Sequence, residues 1–136
     1  MLKLFLSSHG TMASGMKRSV ELLSGKNDRL TVFDAYVDNC RLEDTLDDFF
    51  AHSKKEDQKI LLSDLYGGSV NQKMALYLDR PNTWLIAGVN LALVLELALQ
   101  EKVQEEELES LVEESRKLLK LVKLSEVTPE TDDDFL

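Results

Sequence analysis

The chain has 136 residues, 43% of them hydrophobic, enough for one domain with its own core. Twenty-five acidic against sixteen basic residues give a formal charge of -9, which disfavours direct binding to a nucleic-acid backbone. The single cysteine, Cys40, excludes an internal disulfide framework and a zinc knuckle, and no run of eighteen apolar residues offers a membrane span.

In chain order, residues 2–7 (LKLFLS) read as a strand built on Leu4, Phe5 and Leu6, and SSHG reads as the turn that ends it. Met12, Met16, Val20 and Leu23 recur at spacings of four, four and three, which predicts a helix over 12–23 with those residues packed. Branched and aromatic side chains in 30–37 (LTVFDAYV) predict a second strand. Leu42, Leu46, Phe49 and Phe50 mark one face of a second helix, with His52 near its end as a cap or an exposed residue. The third strand, KILLSD, runs into the polar, glycine-rich SDLYGGS. A third helix over 69–78 then packs Val70, Met74 and Leu78 and exposes Gln72 and Lys73.

Residues 83–88 (TWLIAG) form the fourth predicted strand, in which Trp84 packs. Asn90 reads as the N-cap of LALVLELALQ, whose apolar character all round suits a helix wedged against a sheet or at a subunit interface. The last helix, EEELESLVEESRKLLK, carries Leu108, Leu111, Val112, Ser115 and Leu119 along one side. LVKLSEV, 121–127, is expected as a closing strand, and 128–136 as a disordered acidic tail.

Four strands alternating with helices imply an open, mostly parallel α/β sheet with helices on both faces, because each right-handed crossover covers one face. LVKLSEV would add a C-terminal antiparallel edge strand, paired within its own sheet or exchanged in a dimer. The crevice of such a sheet lies beyond the carboxyl ends of its strands. Three strand ends carry unusual chemistry here: SSHGTMASG, SDLYGGSVN and AGVN.

His9 stands at the first of these ends. Asp64, at the end of the third strand, is the natural carboxylate to hold a proton on one imidazole nitrogen, leaving the other as a nucleophile toward phosphorus. Gly10 and Thr11 at the first junction, with Gly67, Gly68 and Ser69 at the second, are candidate donors to a transferred phosphoryl group. These donors are the backbone N–H groups at the two helix starts and the hydroxyls of Thr11 and Ser69. A donor that already carries an activated phosphoryl group needs alignment and charge stabilisation, so no metal or cofactor is required. Plainer roles stay open: a surface turn for His9, a cap for Asp64, a tight turn for the glycine pair. The chain lacks GxGxxG and GxxxxGKS/T, so nucleotide binding is poorly supported.

Taken together, SSHG with TMASGM, SDLYGGSVN and IAGVNLALVLE resemble the IIA domain of the mannose family (mannose/fructose/sorbose type) of the bacterial phosphoenolpyruvate-dependent sugar phosphotransferase system. The resemblance covers residues 1 to about 125, with motifs in the family's order. It implies that His9 is the phosphorylated histidine, that Asp64 orients it, and that Gly67, Gly68 and Ser69 are the glycine pair and serine that follow. It also implies a phosphoryl donor, HPr, and a separate IIB protein as acceptor, with IIC and IID membrane subunits downstream. The expected frame is a carrier domain over 1–127 in the bacterial cytoplasm, as a homodimer exchanging its C-terminal strand, with no nucleic-acid partner. Val70 stands where many members have proline, which alters the helix start but no reactive group. A dihydroxyacetone kinase phosphocarrier or a regulatory phosphohistidine protein of the same fold is the alternative, and GGSVN argues against the first of these.

Overall fold

The computed structural model describes residues 1–126; Val127 of the predicted closing strand and the predicted tail at 128–136 lie outside the described residues. Strands β1 (Leu2–His9), β2 (Leu30–Ala35), β3 (Gln58–Ser63) and β4 (Thr83–Ala87) alternate with helices α1 (Met12–Ser24), α2 (Leu42–Ala51) and α3 (Ser69–Ala75). Helices α4 (Leu91–Ala98) and α5 (Glu105–Arg116) follow β4. The strands form one sheet in the order β2-β1-β3-β4, and every neighbouring pair is parallel. This is the open α/β sheet that the sequence predicts.

Alternation along each strand divides the apolar side chains between two cores. Leu2, Leu4, Leu6, Ile60 and Leu62 point to the face covered by α1, α4 and α5, where Val20, Val94, Leu97 and Leu108 meet them. Phe5 and Leu61 point the other way, onto Leu46 and Phe49 of α2 and Val70 and Met74 of α3. Phe5 meets the Phe49 ring edge-on at 5.3 Å between centroids. Because both faces are covered, β1 and β3 read as nearly unbroken apolar runs. Each fully buried Leu or Phe contributes about 1.5–3 kcal/mol. Helix α4 is apolar on most sides because it packs against both α1 and α5, burying Leu93, Val94, Leu95, Leu97 and Ala98.

Side chains cap the start of α4 and the end of α2. Asn90 Oδ1 accepts the Leu93 N–H at 2.9 Å, and its Nδ2 donates to the Ser115 carbonyl at 2.8 Å, tying α4 to α5. At the end of α2, the His52 backbone N–H donates to the Asp48 carbonyl at 3.0 Å, and ring Nδ1 lies 2.8 Å from the same oxygen.

The helical faces fade at their ends. Met12, Leu23, Leu78 and Leu119 are exposed instead of packed, since each lies at or beyond the end of its helix, where the periodic face has run past its neighbours. Lys73, expected in solvent, is half-buried. The expected closing strand is corrected as well. Residues 121–126 form no strand, and only a 3-10 turn occurs, at Leu124–Glu126. Strand geometry needs a neighbour for its backbone groups, and no described strand pairs with this segment. Leu118, Leu119, Leu121, Val122 and Leu124 are all exposed.

Candidate active site

Parallel register brings the strand ends together. Ser7 pairs with Ser63 and His9 with Ala35, so the residues that follow β1, β2 and β3 leave the sheet side by side. The connection after β1 runs to β2 on one side and the connection after β3 runs to β4 on the other, which makes the β1–β3 edge the topological switch point of the sheet.

Asp64 follows β3 directly and is largely buried, with its side chain 9% exposed. Its Oδ2 accepts two hydrogen bonds from the same residue, one from the His9 backbone N–H and one from ring Nδ1–H, each at 2.9 Å. A carboxylate can only accept, so the bond assigns the ring proton to Nδ1 and leaves a lone pair on Nε2. Burial opposes ionisation of Asp64, but the His9 backbone N–H and imidazole outweigh it and hold the carboxyl below its ordinary value. The second oxygen, Oδ1, is buried and has no hydrogen-bond partner among the described residues.

On the far side of the ring, Nε2 lies 3.4 Å from Ser69 Oγ, at the start of α3. The Tyr36 hydroxyl lies 2.6 Å from the same Ser69 oxygen. Tyr36 also sets its ring 5.4 Å from the His9 ring, tilted by 39°.

Glycine geometry permits this closeness. Gly10 and Gly67 have φ of +66° and +76°, a left-handed conformation that a Cβ strains. Gly68 has an ordinary φ and lies close to the ring: a Cβ there would just touch His9 Cε1, at 3.4 Å. Gln72 Nε2 donates to the Gly67 carbonyl at 3.0 Å and braces the loop. Beneath it, Ser63 Oγ donates to Asn71 Oδ1 at 3.0 Å, anchoring α3 to the end of β3.

The two helix starts at this edge differ. In α1 the Ala13 N–H donates to Ser8 Oγ at 2.8 Å and the Ser14 N–H to Asp34 Oδ1 at 3.0 Å. Ser14 Oγ adds a 2.6 Å bond to Asp34 Oδ2. Those two amides, expected from the sequence as donors to a ligand, are therefore occupied. Thr11 is exposed beside Gly10, and its hydroxyl makes no capping bond. In α3 the cap residue is Gly68, which has no side chain to close the first turn.

Sequence reasoning thus places His9, Asp64 and Ser69 within one contact chain. It misses Tyr36, Asp34 and Ser8. The signal was present, because β2 ends at the same edge as β1 and β3, and its FDAY carries a carboxylate and a phenol. Val37, Leu65 and Tyr66 on the loops leaving this edge, and Met12 at the start of α1, are exposed. Among the described residues, no cluster of three His, Cys, Asp or Glu side chains could hold a metal, and no helix is long and apolar enough to cross a membrane.

Residues 3–115 match the family EIIA-man, described as the PTS system fructose IIA component. Among solved structures, a provisionally assigned phosphoenolpyruvate-dependent sugar phosphotransferase system permease from Klebsiella pneumoniae superposes with a TM-score of 0.79 at 27% identity, over 88% of this chain and 90% of that one. The mannose/sorbose-specific IIA subunit from Enterococcus faecalis gives 0.68 at 24%, over 93% and 98% of the two chains. Component EIIA from Streptococcus agalactiae gives 0.74 at 22%, over 92% and 98%. These last two likenesses concern the fold. No curated protein sequence matches the chain significantly. With most of its length inside the family match, the chain belongs to the EIIA-man family and is a phosphohistidine-carrying IIA domain of the sugar phosphotransferase system, relaying phosphoryl groups from HPr to IIB.

Proposed function

We propose that His9 is the carrying histidine and that the phosphoryl group travels on Nε2. The supporting observation is the 2.9 Å bond between Nδ1 and Asp64, which leaves Nε2 as the ring's free nucleophile. In the transfer, the Nε2 lone pair forms a bond to phosphorus as the phosphorus–nitrogen bond of phospho-HPr breaks, and that electron pair returns to the HPr histidine. The proton on Nδ1 stays in its bond to Asp64. The ring becomes cationic, and the buried carboxylate becomes its counter-charge. Transfer to the IIB histidine reverses these steps with a new acceptor.

Ser69, Gly68 and Gly67 at the start of α3, with the Thr11 hydroxyl across the crevice, receive the phosphoryl oxygens in this reading, whereas the Gly10 N–H, expected from the sequence as a donor, is already bonded to the Ala35 carbonyl at 2.9 Å. Support comes from the Ser69 hydroxyl beside Nε2. The exposed apolar side chains of Met12, Val37, Leu65 and Tyr66 near the site suit docking of HPr and of a separate IIB protein. Sugar choice then belongs to IIB and to the IIC and IID membrane subunits. We further place the carrier domain at 1–127, in a bacterial cytoplasm. For the homodimer, the exposed apolar run from Leu118 to Leu124 and the open edge of β4 support exchange of the C-terminal segment between subunits.

Incubation with phosphoenolpyruvate, enzyme I and HPr, followed by intact mass at neutral pH, tests the proposal. Wild type gains one acid-labile phosphoryl group, and His9→Ala gains none. Phosphorylation of His9→Ala at the wild-type level would move the carrier role to another residue.

A further inference from the structure

Tyr36 is absent from the roles assigned above, yet it occupies an expensive position. It is one of two non-glycine residues with positive φ among those described, at +68°, a conformation that costs a tyrosine on the order of 1 kcal/mol or more. Its ring is about half exposed and is not held there by core packing. What it gains lies in the site: a 2.6 Å hydroxyl contact with Ser69 Oγ, a tilted contact with the His9 ring, and Lys73 Nζ 5.7 Å from its ring centroid. We propose that Tyr36 is a positioning residue for phosphoryl transfer, whose hydroxyl donates to Ser69 Oγ and so turns the Ser69 proton toward His9 Nε2.

The direction of this chain follows from the other end of the ring. With the proton on Nδ1 committed to Asp64, Nε2 can only accept, so the Ser69 hydroxyl must donate to it. An oxygen that donates its one proton to Nε2 accepts from its other neighbour, and that neighbour is the Tyr36 O–H. Donors in series polarise one another, so the short Tyr36 bond strengthens Ser69 as a donor. Once phosphorus occupies Nε2, the lone pair is gone and the Ser69 proton is released to a phosphoryl oxygen. Tyr36 keeps Ser69 Oγ in place through that change. The inference rests on the proposed role of His9 and adds a residue following β2 to a site otherwise drawn from the end of β1 and the segment after β3.

Tyr36→Phe keeps the ring and removes only the hydroxyl. The expected result is a single-turnover rate from phospho-HPr lowered about tenfold, the scale of one hydrogen bond, with the phospho-HPr concentration for half-maximal rate little changed. Ser69→Ala should lose at least as much. The double variant should be no slower than Ser69→Ala, because both substitutions cut one chain. A wild-type rate for Tyr36→Phe, or losses that multiply in the double variant, would overturn the proposal. Tyr36→Asn, which tolerates a left-handed backbone, supplies a second hydroxyl-free protein should the phenylalanine variant fold poorly. Nitrogen-15 NMR of the unphosphorylated protein gives an independent readout: the His9 Nε2 resonance should move toward the unbonded position in Tyr36→Phe. An unmoved resonance also counts against the chain. If wild type accepted no phosphoryl group, the carrier role of His9 would fail, while the NMR comparison would still decide the hydroxyl chain.

Discussion

Helices α1 and α3 begin at the same sheet edge, where β1 and β3 end, and their first turns are finished in opposite ways. The amides of Ala13 and Ser14 in α1 are closed by Ser8 and Asp34, side chains of β1 and β2. Helix α3 begins at a glycine without a capping side chain, and its first residue, Ser69, faces His9 Nε2. A closed helix start is a stability device, worth about 1 kcal/mol per cap. An open one, next to a nucleophile, can receive negative charge as it develops. In the proposed reading, the first turn of α1 holds the fold and the first turn of α3 meets the phosphoryl group.

The largest effect should come from the residue between them. Asp64→Asn puts an amide against Nδ1 and permits the opposite tautomer, so single-turnover transfer from phospho-HPr should fall by on the order of 10²–10⁴-fold. A loss of less than a few-fold in a stopped reaction would detach Asp64 from the chemistry. Next in size, Gly68→Ala places a methyl 3.4 Å from His9 Cε1 while keeping an ordinary φ. Transfer should drop several-fold, with the urea midpoint unchanged. On α1 the pattern should reverse: Ser8→Ala removes a buried cap and lowers stability by about 1 kcal/mol in urea titration, with the transfer rate of the folded protein unaltered. Equal kinetic damage from Ser8→Ala and Gly68→Ala would erase the distinction between the two helix starts.

The smallest effect concerns pH. Asp64 is held below its ordinary value of 3.8, so its contribution to stability is fully present above that value and is lost as pH falls through the lower folded-state value. Asp64→Asn removes a group that binds more protons unfolded than folded. Urea midpoints of wild type should therefore decline more steeply than those of Asp64→Asn on acidification below about pH 4. Parallel curves would mean that His9 does not stabilise the carboxylate.

Much of this edge was legible because strand ends in a parallel sheet must converge. Once LKLFLS and KILLSD are strands, His9 and Asp64 fall at adjacent ends without further information. Asn90 as a cap was equally local, since Asn before an apolar helix has one common purpose. Tyr36 was not legible, because nothing in LTVFDAYV signals that a tyrosine will adopt φ of +68°. Asp34 reads as an ordinary strand residue and Ser8 as a turn hydroxyl, and their bonds to α1 depend on the β1–β2 register, in which Ser8 pairs with Asp34. The C-terminal segment failed differently. Leu121, Val122, Leu124 and Val127 make LVKLSEV apolar enough for an edge strand, but composition supplies no partner, and residues 121–126 find none among the described residues.

The position of phosphorus on the ring tests the central claim most directly. Nitrogen-15 and phosphorus-31 NMR of the freshly phosphorylated, isotope-labelled protein should give a single phosphohistidine at His9, bonded through Nε2, with the Nδ1 proton still hydrogen-bonded. A phosphoryl group on Nδ1 would place it where Asp64 now sits and would contradict the account.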